Sequence, residues 1–226
     1  MQEPRDYDNV DFLLGSRNGL EGQLKDLDQE DLKDLNTYLT HVDRDQAPIR
    51  DWRDLLADGQ VDRLFSETEL YYLFQEAYEP ENITLNAKIE DDANSKDFDF
   101  RISPSTFDSR IWVEVTLTDI HSTMKNIGGG RMPIDKTGRT IDNKLKSDFK
   151  CARKKLSEDE VLVLAVFLQD PDNQSVDIRR WLDEEYYDVR EFCDGLLTFT
   201  HNTETKLSYH SFTENGRAIE SLMEDL

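Results

Sequence analysis

The chain has 226 residues, with 49 Asp and Glu against 27 Lys and Arg and a formal charge of −22. Its 37% apolar content can build a packed core and its acid is spread along the whole length, which argues against disorder; such a surface repels itself unless molar salt shortens the screening length to about 3 Å, so the composition points to a halophilic protein. No apolar run approaches the ~18 residues of a membrane span, and the opening MQEPRDYDNVDF lacks the parts of a signal peptide, so a cytoplasmic location is expected.

Residues 1–22 are polar apart from an apolar island at Val10 to Leu14, and read as an irregular arm. In DQEDLKDLNTYLTHV, Leu32, Leu35, Tyr38 and Leu39 recur at helical spacing behind an Asp28 cap, and IRDWRDLLADG makes a second short helix stopped by Gly59. Arm and helices form an N-terminal helical cap over residues 1–60, leaving residues 61–226 as the main domain of one compact unit. SETELYYLFQEAYE then opens with Ser66 and Glu69 at capping-box spacing and carries Leu70, Leu73, Phe74 and Ala77 on one face, which predicts a helix from Ser66 to Glu79.

After Pro80, ITLNAKIE alternates Ile83, Leu85, Ala87 and Ile89 inward as a half-buried strand. DFDFRI sets Phe98, Phe100 and Ile102 on one face and Asp97, Asp99 and Arg101 on the other, because successive strand residues point to opposite sides. RIWVEVTLT repeats the pattern, with Ile111, Val113, Val115 and Leu117 opposite Trp112, Glu114, Thr116 and Thr118, so the carboxylates of two neighbouring strands can share a face. NIGGGRMPIDKTGR reads as a mobile loop. Its GRMPIDKT approaches a phosphate-binding loop, but Asp135 stands where the last glycine is needed and a carboxylate there repels phosphate. Next comes a strongly amphipathic helix with Ile141, Leu145, Phe149, Ala152 and Leu156 in one stripe. VLVLAVFLQ, apolar without alternation, is an interior strand covered on both faces. SVDIRRWLDEEYYDVREF reads as a helix, GLLTFTH and KLSYHSF as late strands, and GRAIESLMEDL as a terminal helix.

Cys151 and Cys193 have no CxxC partner, so neither a disulfide framework nor a thiolate zinc site is indicated, and both are expected as small buried residues. His41, His121, His201 and His210 form no ligand spacing.

The core order of helix, three strands, helix and strand, with acids on the second and third strands, resembles the PD-(D/E)XK superfamily. The resemblance covers roughly Ser66 to Asp170. It implies an α/β fold, a restriction-endonuclease-like mixed sheet with an αβββαβ core, here with the N-terminal helical cap added. It also implies a Mg²⁺ (or Mn²⁺) dependent nuclease: Asp99, with Asp97 as the alternate, and Glu114 would hold the metal, and Glu69 on the first helix would assist. The departure lies in E-x-K, whose lysine would fall on position 116, where this chain has Thr116. Relatives that read E-V-T resemble this chain in drawing a basic residue from the following helix, and Lys144, offset from the Ile141 and Leu145 stripe, is the expected substitute, with Lys150 second.

Between His121 and Leu156 the basic residues exceed the acidic ones by seven, in a chain that is otherwise strongly acidic. Arg131, Lys136, Arg139, Lys146, Lys150, Arg153, Lys154 and Lys155 are therefore expected to hold a nucleic-acid backbone, DNA first, through salt-sensitive contacts. Each feature has a plainer account: a solvated strand face for the three acids, reciprocal capping with Ser66 for Glu69, a solvated helix face for the lysines. The alternative function is a catalytically inactive restriction-endonuclease-like domain that binds nucleic acid or protein. The sequence leaves the oligomeric state open, a homodimer included.

Overall fold

The computed structural model describes residues 7–15, 24, 27–40, 42, 48–89, 97–117, 124–127, 130–133, 137–168, 178, 179, 181–183, 191–200, 207–224 and 226. Two compact units emerge, Met1–Pro80 and Glu81–Leu226. The division falls some twenty residues later than the boundary expected at 60, and it places the long fourth helix with the helices before it.

The first unit is helical: α1 (Asp8–Leu14), α2 (Gln29–Tyr38), α3 (Pro48–Ala57) and α4 (Val61–Ala77). The stretch expected as an irregular arm therefore contains a helix. Val10 and Leu13, three apart, are buried, and Arg53 of α3 donates to the carbonyls of Phe12 and Leu13 at 2.6 Å each, satisfying groups that a helix end leaves open. Asp28 caps α2 as expected: Oδ1 accepts from the Glu30 and Asp31 amides at 2.8 and 2.9 Å, and Asp31 reciprocates to the Asp28 amide. Gly59, at φ +72°, takes the left-handed turn that ends α3. The next helix starts two residues later at Val61, so Ser66 lies inside it, where its hydroxyl donates to the Arg63 carbonyl at 2.9 Å. The expected Ser66–Glu69 capping box is thus corrected: the spacing was present, but the helix had already begun.

The second unit is an α/β fold. Its strands are β1 (Ile83–Lys88), β2 (Asp97–Ile102), β3 (Ile111–Leu117), β4 (Met124–Ile127), β5 (Gly130–Pro133), β6 (Val161–Phe167), β7 (Gly195–Phe199) and β8 (Leu207–Ser211). Six of them form one mixed sheet in the order β1-β2-β3-β6-β7-β8, with β3, β6 and β7 mutually parallel and the outer pairs antiparallel. Every residue of β6 and β7 is buried, as is every residue of β3 except Leu117, as expected of interior parallel strands. Between β3 and β6 the Gly-rich stretch, expected as a loop, pairs β4 with β5 in an antiparallel hairpin that sets Asn126 opposite Arg131; residues 128 and 129 lie outside the described residues.

The crossover to β6 continues through α5 (Thr137–Lys144), a single π turn (Leu145–Phe149) and α6 (Lys150–Arg153). Ile141, Leu145, Phe149 and Ala152 of this helix join Phe98, Trp112, Leu162 and Leu164 in one core. Short helices α7 (Glu214–Ala218) and α8 (Glu220–Glu224) end the chain. They are tied in through Asp194, whose carboxylate accepts from the Leu162 amide at 2.8 Å, from Thr213 Oγ1 at 2.7 Å and from Arg153. Cys193 is buried as expected, and burial pushes its thiol up to about 12. Cys151, expected buried, is exposed, since it follows Phe149 and precedes Ala152 on the side of the helix away from the stripe.

Candidate catalytic site on the second and third strands

Asp99 and Glu114 lie just beyond the end of the β2–β3 ladder. The register pairs Ile102 with Ile111, Arg101 with Trp112 and Phe100 with Val113. Beyond Phe100, the Asp99 carboxylate takes over from the backbone: Oδ2 accepts from the Val115 amide at 2.6 Å, next to Glu114 in the chain. A carboxylate in place of a ladder carbonyl lets the two strands part while the amide keeps its partner.

The expected alternation of β2 is broken at this point. Phe98 and Arg101 both lie against the Trp112 indole, ring centroids 5.9 Å apart for the first and the guanidinium 5.7 Å from the ring for the second. Residues three apart share no face of a regular strand. Across the ladder, Asn86 of β1 has φ +47°, a left-handed conformation that asparagine tolerates better than most residues, and the register steps from Leu85 opposite Phe100 to Ala87 opposite Phe98. The correction to the sequence reading is that Phe98, Phe100 and Ile102 do not form one uninterrupted face.

Glu114 lies two residues along β3 from Trp112 and so points toward the same covering helix. It is buried, with only 5% of its side chain exposed, which rules out the solvated-face account for this acid. The helix brings a cation to it. Ile141, Leu145 and Phe149 are fully buried at steps of four, a spacing that drifts roughly 80° over eight residues of ideal α-helix. The π turn absorbs the drift: the Lys150 amide bonds to the Leu145 carbonyl, five residues back. Lys144, immediately before this turn, donates from Nζ to Glu114 Oε1 and lies 3.2 Å from Asp148 Oδ2. Burial works against the ammonium, but the Glu114 and Asp148 carboxylates outweigh it and hold the Lys144 pKa above its ordinary value. Thr116, where the motif would have lysine, is buried beside Val166 of β6.

Several of the remaining candidates have other partners. Asp97 is exposed and stands 3.8 Å from Lys88 of β1. Glu69 belongs to the helical unit, where it is buried and accepts a hydrogen bond from Tyr38; burial first, and the Glu69 charge second, raise the Tyr38 phenol. Lys146 pairs with Asp142 at 3.4 Å, and Lys150 lies over the Phe192 ring at 5.2 Å. Lys154 and Lys155 are exposed. Arg153 turns inward to Asp194 and to the Glu160 carbonyl, and so serves the fold. Arg131 lies on β5 and Arg139 on α5, while Lys136 lies outside the described residues. Sequence reasoning passed over Asp148, although it stands at the i+4 spacing from Lys144 that brings opposite charges together on a helix.

No family model matches the chain, and no curated protein does. Among solved structures, Pyrococcus furiosus SfsA in complex with Ca2+ aligns over 66% of this chain and 63% of that one, at 14% identity and a TM-score of 0.27. Among the described residues, no helix is long and apolar enough to cross a membrane.

Proposed function

We propose that the α/β unit is a metal-dependent, nuclease-like domain of the PD-(D/E)XK type acting on nucleic-acid phosphodiesters, DNA first, with Asp99 and Glu114 holding Mg²⁺ or Mn²⁺ and Lys144 standing in for the lysine absent at position 116. The observation that carries the reading is the contact of Lys144 Nζ with Glu114 Oε1 while Asp99 sits on the amide of the next residue. The Lys144 ammonium reaches Glu114 from the helix, and the Asp99 carboxylate accepts from the backbone amide of the residue after Glu114, which supports the reading. The donor set suits a hard cation: Mg²⁺ commonly takes one or two carboxylates and completes its octahedron with water and substrate. That matters because, among the described residues, no group of three His, Cys, Asp or Glu is placed to hold a metal. When bound, the ion supplies Lewis-acid polarisation of a phosphoryl oxygen. Lys144 keeps its proton beside the site and offers a positive charge where negative charge develops on phosphorus. Lys154 and Lys155, exposed at the end of the same helix, offer a screened attraction for the backbone. Asp97, paired across the strands with Lys88, and Glu69, bonded to Tyr38, have no part in this scheme.

The second reading, a catalytically inactive binding module, is favoured by Thr116 and by the fact that, among the described residues, no three acids are grouped so as to hold a metal. Cleavage of duplex DNA in molar KCl with Mg²⁺ or Mn²⁺ separates the two. The active reading expects nicking that Glu114→Gln abolishes and that Lys144→Ala slows far more than Lys146→Ala. A wild type that cuts nothing yet shifts DNA in a gel, with the shift weakened by neutralising Lys154 and Lys155, makes the inactive module the better account.

A further inference from the structure

Resting on the metal-binding reading above, we infer that Asp148 is a positioning residue that gives the Lys144 ammonium a second berth, so that Glu114 can exchange its lysine for a divalent cation. Glu114 is buried and its Oε1 is occupied by Lys144; a divalent cation arriving at the same oxygen would meet an ammonium in contact with it, and like charges that close repel strongly in a site with little water. One of the two cations must move. The structure supplies the destination, since Lys144 Nζ is already 3.2 Å from Asp148 Oδ2. Asp148 is the wetter of the two acids, its side chain 25% exposed against 5% for Glu114. Movement toward Asp148 is therefore movement toward solvent.

The geometry keeps this move local. Lys144 and Asp148 lie on one helix, four residues apart across the π turn, so a change of lysine rotamer suffices and no backbone need shift. Glu114, by contrast, is fixed on β3 beside Leu164 of the parallel strand β6. The charges also close into two neutral sets: a divalent ion against Asp99 and Glu114, and Lys144 against Asp148. Without Asp148 the displaced ammonium would remain as an uncompensated neighbour of the metal.

Mn²⁺ titration by calorimetry in molar KCl tests the inference, applied to the full chain as wild type, Glu114→Gln, Asp148→Asn, Asp148→Glu, Lys144→Met and the Lys144→Met/Asp148→Asn double variant, each checked for folding by circular dichroism. Asp148→Asn should weaken Mn²⁺ binding by about five- to tenfold, the size of a coupling between contacting charged groups, and Asp148→Glu should restore most of it. Lys144→Met should tighten binding, and in that background Asp148→Asn should change the affinity less than about twofold, since with the lysine gone there is nothing to rehouse. An equal loss in both backgrounds would mean that Asp148 acts only as a nearby charge and would overturn the inference, as would no loss in either. Absence of any wild-type Mn²⁺ binding that Glu114→Gln removes would instead overturn the metal reading, and the inference with it.

Discussion

Replacing Lys144 by methionine should destabilise the protein measurably, and its size follows from which end of the ion pair is buried. Methionine keeps the apolar stem and removes the ammonium, leaving Glu114 as a carboxylate with 5% of its side chain exposed. Removing one partner of a fully buried pair costs about 3–5 kcal/mol. Lys144 itself is 26% exposed, so water can enter part of the space the ammonium leaves, and roughly 2–3 kcal/mol is the fitting figure. At about 2–4 °C per kcal/mol for a chain of this size, the midpoint of thermal unfolding should fall by roughly 4–12 °C. The assay is a circular-dichroism melt in molar KCl, with Lys146→Met as the control: its pair with Asp142 is 58% exposed at the lysine end and should move the midpoint little. The pH dependence has a definite sign. The Lys144 pKa is raised in the folded protein, so its pairing contributes fully below the unfolded value of about 10.4 and is lost as pH climbs through the higher folded value. The gap between wild type and Lys144→Met should therefore be flat across neutral pH and, on the alkaline side, close only beyond about pH 10.4. A gap below about 1 kcal/mol, the scale of an exposed pair, would refute the buried-pair reasoning, as would a gap that closes between neutral pH and about 9.

Asp194→Ala should cost more than Lys144→Met, about 3–5 kcal/mol in urea unfolding, because it strands the Arg153 guanidinium, the Thr213 hydroxyl and the buried Leu162 amide at once. A loss comparable to an ordinary surface substitution would show that the network is dispensable. The charge of −22 should make stability depend on salt, with the melting midpoint rising steeply between about 0.1 M and about 2 M KCl; a flat response would remove the halophilic account of the composition.

What the sequence reveals is whatever short-range pattern governs. The β6 run and the Ile141–Leu145–Phe149 stripe fix an interior strand and its covering helix, and the offset of Lys144 from that stripe is enough to aim it at Glu114. Asp28 is legible because a cap is completed within three residues. The features that escaped depend on partners distant in the chain or on one backbone angle. Helix α1 docks through Arg53, forty residues on. The alternation of β2 fails beside Asn86 of the neighbouring strand, which is left-handed. Ser66 and Glu69 match a capping motif, yet Gly59 had already released the chain into a helix at Val61. Arg153 looks like a surface cation in a basic run, yet Asp194, beyond the next strand, and the Glu160 carbonyl turn it inward.

The same contrast explains why the ammonium can leave position 116 and still serve Glu114. β3 is flanked by β2 and β6 and is buried over almost its whole length, so a lysine on it would have to hold its charge between packed strands, with Thr116 already beside Val166. A lysine on the covering helix reaches Glu114 from the solvent side: its stem packs at the helix surface, its charge is shared with Asp148, and it stays 26% exposed. The desolvation that opposes an ammonium at the site is thereby smaller than for one carried on the strand. The π turn follows from the same placement. It keeps Ile141, Leu145 and Phe149 in the core at four-residue steps, while Lys144, one residue before Leu145, stays at the edge of that buried face within reach of Glu114.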